Sequence, residues 1–307
     1  MKSIALFICL FAFATVCAQP DGAILSRIPV TFPSYSAVHD ISWYYSESEY
    51  QSAISDKRIS FEKLTYSSDG LKVIAYLVTP KEKSTGTYPV IVFNRGSYIR
   101  NDIAFVHAPL FKMFVDSGFI VIAPALRGSE GGEGKDELGG SDVADIMNIT
   151  KVLDQLKYAD TKNVFMLGES RGGMMTFQAI KNRFQMRAAA TVGAITDLSM
   201  YVNDQRWEEK TLTSFWSDYN LNKTEILERR SVLRWSKAID VPILILHGAK
   251  DPQVKPEHAL RFAQQLSNEG QTYQLMILAE GNHILSGPCT RERDRQVVDW
   301  FQRHRSK

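Results

Sequence analysis

An α/β domain, with a mostly parallel sheet and helices on both of its faces, is what this 307-residue sequence predicts. Continuous apolar runs at residues 89–93, 119–123, 164–167, 188–192, 241–246 and 273–278 are the first reason. Strands need such runs when helices cover both sides of a parallel sheet. The second reason is that the stretches between them read as helices, so strand and helix alternate from about residue 88 to the end. The third is an absence: no period of about 40 residues recurs, which excludes a propeller or another repeat architecture.

Residues 1–18 read as a signal peptide to be set aside before the fold. Lys2 supplies the positive start, residues 4–16 are almost unbroken apolar, and Val16-Cys17-Ala18 offers a cleavage site before Gln19. The apolar run is shorter than the roughly 20 residues a bilayer span needs, so no membrane span is expected. Lipid attachment at Cys17 fits less well, because bulky Val16 precedes it. Export is therefore expected, to the periplasm or out of the cell. Cys9 and Cys17 fall in this segment and leave Cys289 alone, so stability must come from a large core and not from a disulfide.

Residues 19–58 carry few periodic signals and are expected to form an N-terminal extension that packs on, or wraps around, the main domain, which runs over residues 59–307. Residues 59–66 and 71–79 alternate apolar and polar, with Ser68-Asp69-Gly70 between them, a hairpin signal. The glycine-rich stretch 128–140 lacks the Lys-Ser/Thr of a phosphate loop and reads as a flexible surface loop. Ser141 can cap a helix carrying the stripe Val143, Ile146, Met147, Val152, Leu153 and Leu156. Asp142 and Asp145 then belong to that helix start and not to a metal site. Pro256 opens a further helix at a position where its missing N–H does no harm. Residues 197–238 break the rhythm with Trp207, Phe215, Trp216, Tyr219 and Trp235 among many charges. They read as a helical, lid-like insertion lying over one end of the sheet.

The charge balance narrows the partners. With 36 basic against 34 acidic residues the net charge is only +2, and no basic stripe stands out. Nucleic acid and anionic membranes are thereby excluded as expected partners. No cluster has zinc or calcium spacing, so no metal or other cofactor is implied.

Chemistry enters at Gly168-Glu169-Ser170-Arg171-Gly172-Gly173, which follows the apolar run 164–167 and precedes a helix-like stretch. That is G-x-S-x-G in a strand–turn–helix context, where the turn exposes the serine hydroxyl and the next helix offers N–H groups to an oxyanion. A serine hydroxyl is a poor nucleophile and requires a base with a group to orient it. Asp251 follows the run 241–246, and His283 follows the run 273–278, both at the same sheet edge. Ser170, Asp251, His283 is the chain order of the α/β-hydrolases, and ligands bind at that edge of open α/β sheets. Asp197 and Asp240 compete for the acid role but follow no strand at the right point. His247 is expected to orient the loop that carries Asp251. His39, His107, His258 and His304 are expected to be solvated.

From about residue 59 to the end the sequence resembles the catalytic domain of the prolyl oligopeptidase family of serine peptidases. The resemblance rests on Ser68-Asp69-Gly70 with its following strand, Arg127-Gly128-Ser129 with the glycine-rich loop, Gly168 to Gly173, His247-Gly248 with Asp251 and Val254, and Gly281 with His283. It implies an α/β-hydrolase fold in which Ser170 is the nucleophile, Asp251 the orienting acid and His283 the base. The amide of Arg171 is then one oxyanion donor. The second donor in that family comes from the loop after the first parallel strand, here Asn94-Arg95-Gly96-Ser97-Tyr98. Where many members place a tyrosine hydroxyl this sequence has Asn94, so its side-chain amide or a nearby backbone N–H is expected to substitute. Many members also carry a substrate-filtering propeller, for which residues 19–58 are too few.

The expected activity is that of an exported serine hydrolase cleaving a small peptide or amide through an acyl-enzyme. An acyl-ester substrate handled by the same triad is the alternative. Arg95 or Arg171 is placed to hold a substrate carboxylate, Tyr98 to contact substrate from the same loop, and Trp207 and Trp216 to line the pocket. A binding protein that kept the fold without the chemistry is the contrasting class. The intact triad argues against it, since catalysis needs all three groups and binding needs none.

Overall fold

The apolar runs become strands of one nine-stranded sheet, the last of them at its edge, in a computed structural model that describes residues 19–83, 85–97, 102–205 and 207–306. In chain order the elements are β1 (Ile24–Pro29), α1 (Glu47–Ile54), β2 (Ile59–Ser68), β3 (Leu71–Pro80) and β4 (Tyr88–Asn94). Next come α2 (Ile103–Val106), α3 (Ala108–Asp116), β5 (Ile120–Pro124), α4 (Val143–Met147), α5 (Ile149–Leu153), β6 (Ala159–Glu169) and α6 (Arg171–Lys181). Then follow β7 (Ala188–Val192), α7 (Leu198–Asp204), α8 (Glu209–Phe215), α9 (Tyr219–Glu228), β8 (Ile243–Gly248), α10 (Glu257–Asn268), β9 (Tyr273–Leu278) and α11 (Thr290–Arg303). The sheet order is β1-β2-β3-β5-β4-β6-β7-β8-β9. β1 to β3 join antiparallel and meet β5 antiparallel, while every pairing from β5 through β9 is parallel. This is the α/β-hydrolase arrangement.

Burial on both faces explains the unbroken apolar runs. In β4, Val90 and Val92 join Met174 and Phe177 of α6 and Phe262 of α10 in one core. The alternate residues Ile91 and Phe93 join Phe111 and Phe114 of α3 and Trp300 and Phe301 of α11 in the other. Both sets are almost wholly withdrawn from water. The strand order reverses at β4, whose neighbours are β5 on one side and β6 on the other. Such a reversal opens a crevice beyond the carboxyl ends of the strands, because the helices that follow leave toward opposite faces. The crevice lies beyond Asn94 and Glu169, the last residues of β4 and β6.

Several local expectations hold. β2 and β3 are the expected hairpin, closed by Asp69 and Gly70 with φ of 51° and 77°, the paired positive values a tight two-residue turn requires. Within residues 197–238, the helices α7 to α9 lie between β7 and β8. Cys289 is a buried free thiol.

Others are corrected. Residues 19–58 do more than pack on the domain, since β1 extends the sheet beside β2 and α1 is a capped helix. Ser141 caps nothing: its hydroxyl lies 3.0 Å from the Glu137 carboxylate, and the expected helix is broken at Asn148 into α4 and α5. The stretch 128–140 is not a free surface loop, for Ser129, Glu130 and Asp136 are buried there and Asp136 grips Arg171. His107 and His258 are buried, not solvated. Residues 1–18, expected to be a signal peptide, and Tyr98 lie outside the described residues.

Candidate active site

Ser170 stands alone between β6 and α6 with φ 54° and ψ −119°. A non-glycine residue held there costs on the order of 1–3 kcal/mol, so its surroundings must enforce it. They do so through the backbone: Ser170 N–H donates to Val192 O at 2.8 Å, and Gly173 N–H donates to Ser170 O at 3.0 Å. Gly172 lets α6 start hard against the sheet, since a Cβ there would overlap the carbonyl of Asn94. The first turn of α6 thus begins at Arg171, and its N–H groups have no earlier turn to bond to.

Asp251 and His283 meet at the ends of β8 and β9. His283 Nδ1 lies 2.8 Å from Asp251 Oδ2, and because a carboxylate only accepts, Nδ1 carries the proton. The Nε2 lone pair is then left for proton transfer. His247 Nε2 faces Val254 O at 2.8 Å and Asp251 Oδ2 at 3.2 Å, so it too donates and braces the acid as expected. Asp251 Oδ1 accepts the N–H groups of Gln253 and Val254 at 2.8 and 2.9 Å. Burial works to raise the Asp251 carboxyl, but the bonds from His247, His283 and Val254 outweigh it and hold it well below the usual carboxylate range. Gly193, at φ 57°, makes room for the base, because a Cβ there would overlap the His283 carbonyl and touch its ring.

Ser170 and His283 line one cavity of about 400 Å³. Gly96 and Ser97 line it from the end of β4, and Tyr201 and Trp207 from the insertion. The backbone of Gly96 passes Ser170 closely enough that a Cβ on it would sit 3.2 Å from Ser170 Cβ.

Four expected contacts take other positions. Asn94 turns its amide into the protein, where Nδ2 donates to Thr176 Oγ1 at 2.9 Å, so its side chain is no oxyanion donor. Arg95 is buried under the loops and donates to the carbonyls of Ala125, Gly96 and Ser97 and to Ser129 Oγ. It holds the turn after β4 in place and offers nothing to a substrate carboxylate. The Arg171 guanidinium is likewise consumed, by Asp136 at 2.6 and 2.7 Å and Asp142 at 2.6 Å, leaving its backbone N–H for the site. Trp216 is buried away from the cavity, its Nε1 donating to Glu137 O at 2.7 Å and its ring facing Arg230. Trp207 does line the cavity.

The sequence reading missed the support behind Ser170. Glu169 is buried against His107, with Nε2 and Oε2 3.2 Å apart, while His107 Nδ1 faces the carbonyl of Ile103 at 3.0 Å. Burial alone would raise the Glu169 carboxyl, yet the His107 contact reverses this and the shift is downward. The N-terminal segment was missed as well: Asp40, Trp43 and Tyr44 line the cavity. Glu169 stands inside the motif and was within reach of sequence reasoning; residues 40–44 carry no period or motif that marks them.

Comparison with known proteins agrees with this geometry. The chain is 24% identical over 240 residues to the uncharacterized peptidase YtmA of Bacillus subtilis, covering 78% of this chain and 92% of that one. Among solved structures, Pyrococcus horikoshii acylaminoacyl peptidase superposes with a TM-score of 0.65 at 22% identity, over 84% of this chain and 44% of that one. A Pyrococcus furiosus esterase does so with a TM-score of 0.63 at 13% identity, over 85% and 95%. The chain thus spans less than half of the acylaminoacyl peptidase and nearly all of the esterase. The family model described as the prolyl oligopeptidase family matches residues 108–307, which include Ser170, Asp251 and His283. This chain belongs to the prolyl oligopeptidase family, as a hydrolase of the serine peptidase and esterase type.

Proposed function

We propose that Ser170, Asp251 and His283 are the catalytic triad of this hydrolase and that its substrate is a small peptide or amide. The observation that carries the reading is the buried pairing of Asp251 with His283, which lines one cavity together with Ser170. Ser170 Oγ attacks the substrate carbonyl carbon while His283 Nε2 takes the hydroxyl proton. The oxyanion is held by the N–H of Arg171, with a second donor from the Gly96–Ser97 backbone in place of the Asn94 side chain. The scissile bond breaks as His283 returns that proton to the leaving amine. Water then attacks the acyl-enzyme, gives a proton to His283, and releases the acid as Ser170 recovers its own.

An ester is the second reading. It is supported by the esterase neighbour, which is matched over 95% of its length with no further domain. Measuring kcat/KM on a short-chain aryl ester and on a proline-containing peptide anilide separates the two. Turnover of the anilide within about a hundredfold of the ester is expected for a peptidase, since the poor leaving amine must be protonated by His283. Ester turnover without detectable anilide cleavage would move the assignment to an esterase.

A further inference from the structure

We infer that residues 40–45 form the specificity-determining wall of the catalytic cavity, with Trp43 stacking on an aromatic or flat apolar group of the substrate. The inference rests on the hydrolase reading above and adds the class of group that the site selects.

The segment is pegged on both sides of Trp43. Ile41 is 2% exposed and packs with Val38, Tyr50 and Val106 in a small core of its own. Tyr45 is buried, and its hydroxyl accepts from Arg293 Nη2 at 3.1 Å while its carbonyl accepts from the Tyr35 hydroxyl at 2.8 Å. Arg293 Nη1 donates in turn to the carbonyl of Ile284, the residue after His283, at 2.9 Å. Tyr44 meets the His107 ring edge-on at 5.6 Å, and His107 contacts Glu169 beside Ser170. The turn that starts this segment has Asp40 at φ 61°, a left-handed conformation. The end of the wall at Tyr44 and Tyr45 is therefore tied through Arg293 to the residue after His283 and through His107 to the residue before Ser170, while Ile41 anchors the other end in its small core.

Between these pegs Trp43 is 71% exposed while lining the cavity. Its indole adds little to the core, yet it is presented from a fixed backbone, which lowers the ordering cost of a contact made there. Tyr201 and Trp207, edge to face with centroids 5.5 Å apart, line the same cavity from the insertion. Aromatic rings favour offset or edge-on partners of their own kind. Among the described lining residues the one guanidinium, that of Arg171, is already bound by two carboxylates. A flat, uncharged group suits these surroundings better than a carboxylate.

Two matched ester pairs test this, nitrophenyl acetate against nitrophenyl phenylpropanoate and ethyl acetate against benzyl acetate, so that either side of the scissile bond is sampled. The wild type is expected to prefer the aromatic member in at least one pair by kcat/KM. Trp43→Ala should lower that preference about tenfold, the order a lost aromatic stacking contact carries. Trp43→Phe should keep most of it, and Leu221→Ala, 87% exposed and outside the cavity lining, should keep all of it. No wild-type preference in either pair, or an unchanged preference in Trp43→Ala, would overturn the inference if Ser170 still reacts with a fluorophosphonate. A wild type that fails to react at Ser170 would instead overturn the hydrolase reading beneath it.

Discussion

His258 shows how a side chain outside the reaction still takes part in the site's stability. It is fully buried on α10, and its Nδ1 faces the Thr196 N–H at 3.2 Å. Burial, with repulsion from His247 next in weight, pushes its pKa down to about 4 from the ordinary 6.5. The unfolded chain takes up a proton between those values and the folded chain does not. The contribution to stability is therefore full above pH 6.5 and is lost as pH falls toward 4, by up to about 3 kcal/mol. Thermal unfolding followed from pH 7 to 4.5 should show a shallower fall in Tm for His258→Asn than for the wild type; parallel curves would contradict this. The proposed triad was picked out of the sequence because residue type, chain order and strand end all pointed the same way. Arg95, Arg171, Asn94 and Trp216 were misassigned because a sequence gives position along a turn but not side-chain direction. Each of the four found a partner inside the protein, in Ser129, Asp136, Thr176 and the carbonyl of Glu137, supplied by segments distant in sequence.

Legibility of the elements followed burial. Two-faced strands announced themselves, and so did the β2–β3 hairpin with its Asp-Gly turn. β1 did not, because it is an edge strand whose Leu25 and Ile28 remain exposed, which erases the alternation that would mark it. The glycines of stretch 128–140 suggested mobility, whereas its Asp136 is fastened to Arg95 and Arg171 and shapes the ground beneath the Ser170 turn. The most consequential element is the turn at residues 40–45. Tyr45→Phe removes one hydrogen bond to a buried guanidinium and nothing else. Urea unfolding should show a loss of about 1–2 kcal/mol. If the latch also registers the His283 loop, kcat should fall severalfold with KM nearly constant. Unaltered stability together with unaltered kcat would contradict a role for this contact.

The whole molecule sets these pieces against one another through its sheet. Apolar residues on both faces commit β4 to β8 to the interior, and the helices they recruit leave the carboxyl ends of the strands as the open side. Loops from β4, β6, β8 and β9 therefore converge there, and with them the candidate nucleophile, acid and base. The N-terminal segment reaches the same side from the opposite end of the chain. The family match covers residues 108–307 and so leaves that segment out, although it lines the cavity. Reaction of the intact protein with a fluorophosphonate, read by mass spectrometry, bears directly on whether this convergence is an active site. One adduct, mapped to Ser170 and absent from Ser170→Ala, is the predicted result, with labelling slowed by at least about a thousandfold in His283→Ala. An adduct on another residue, or equal labelling of wild type and Ser170→Ala, would contradict it.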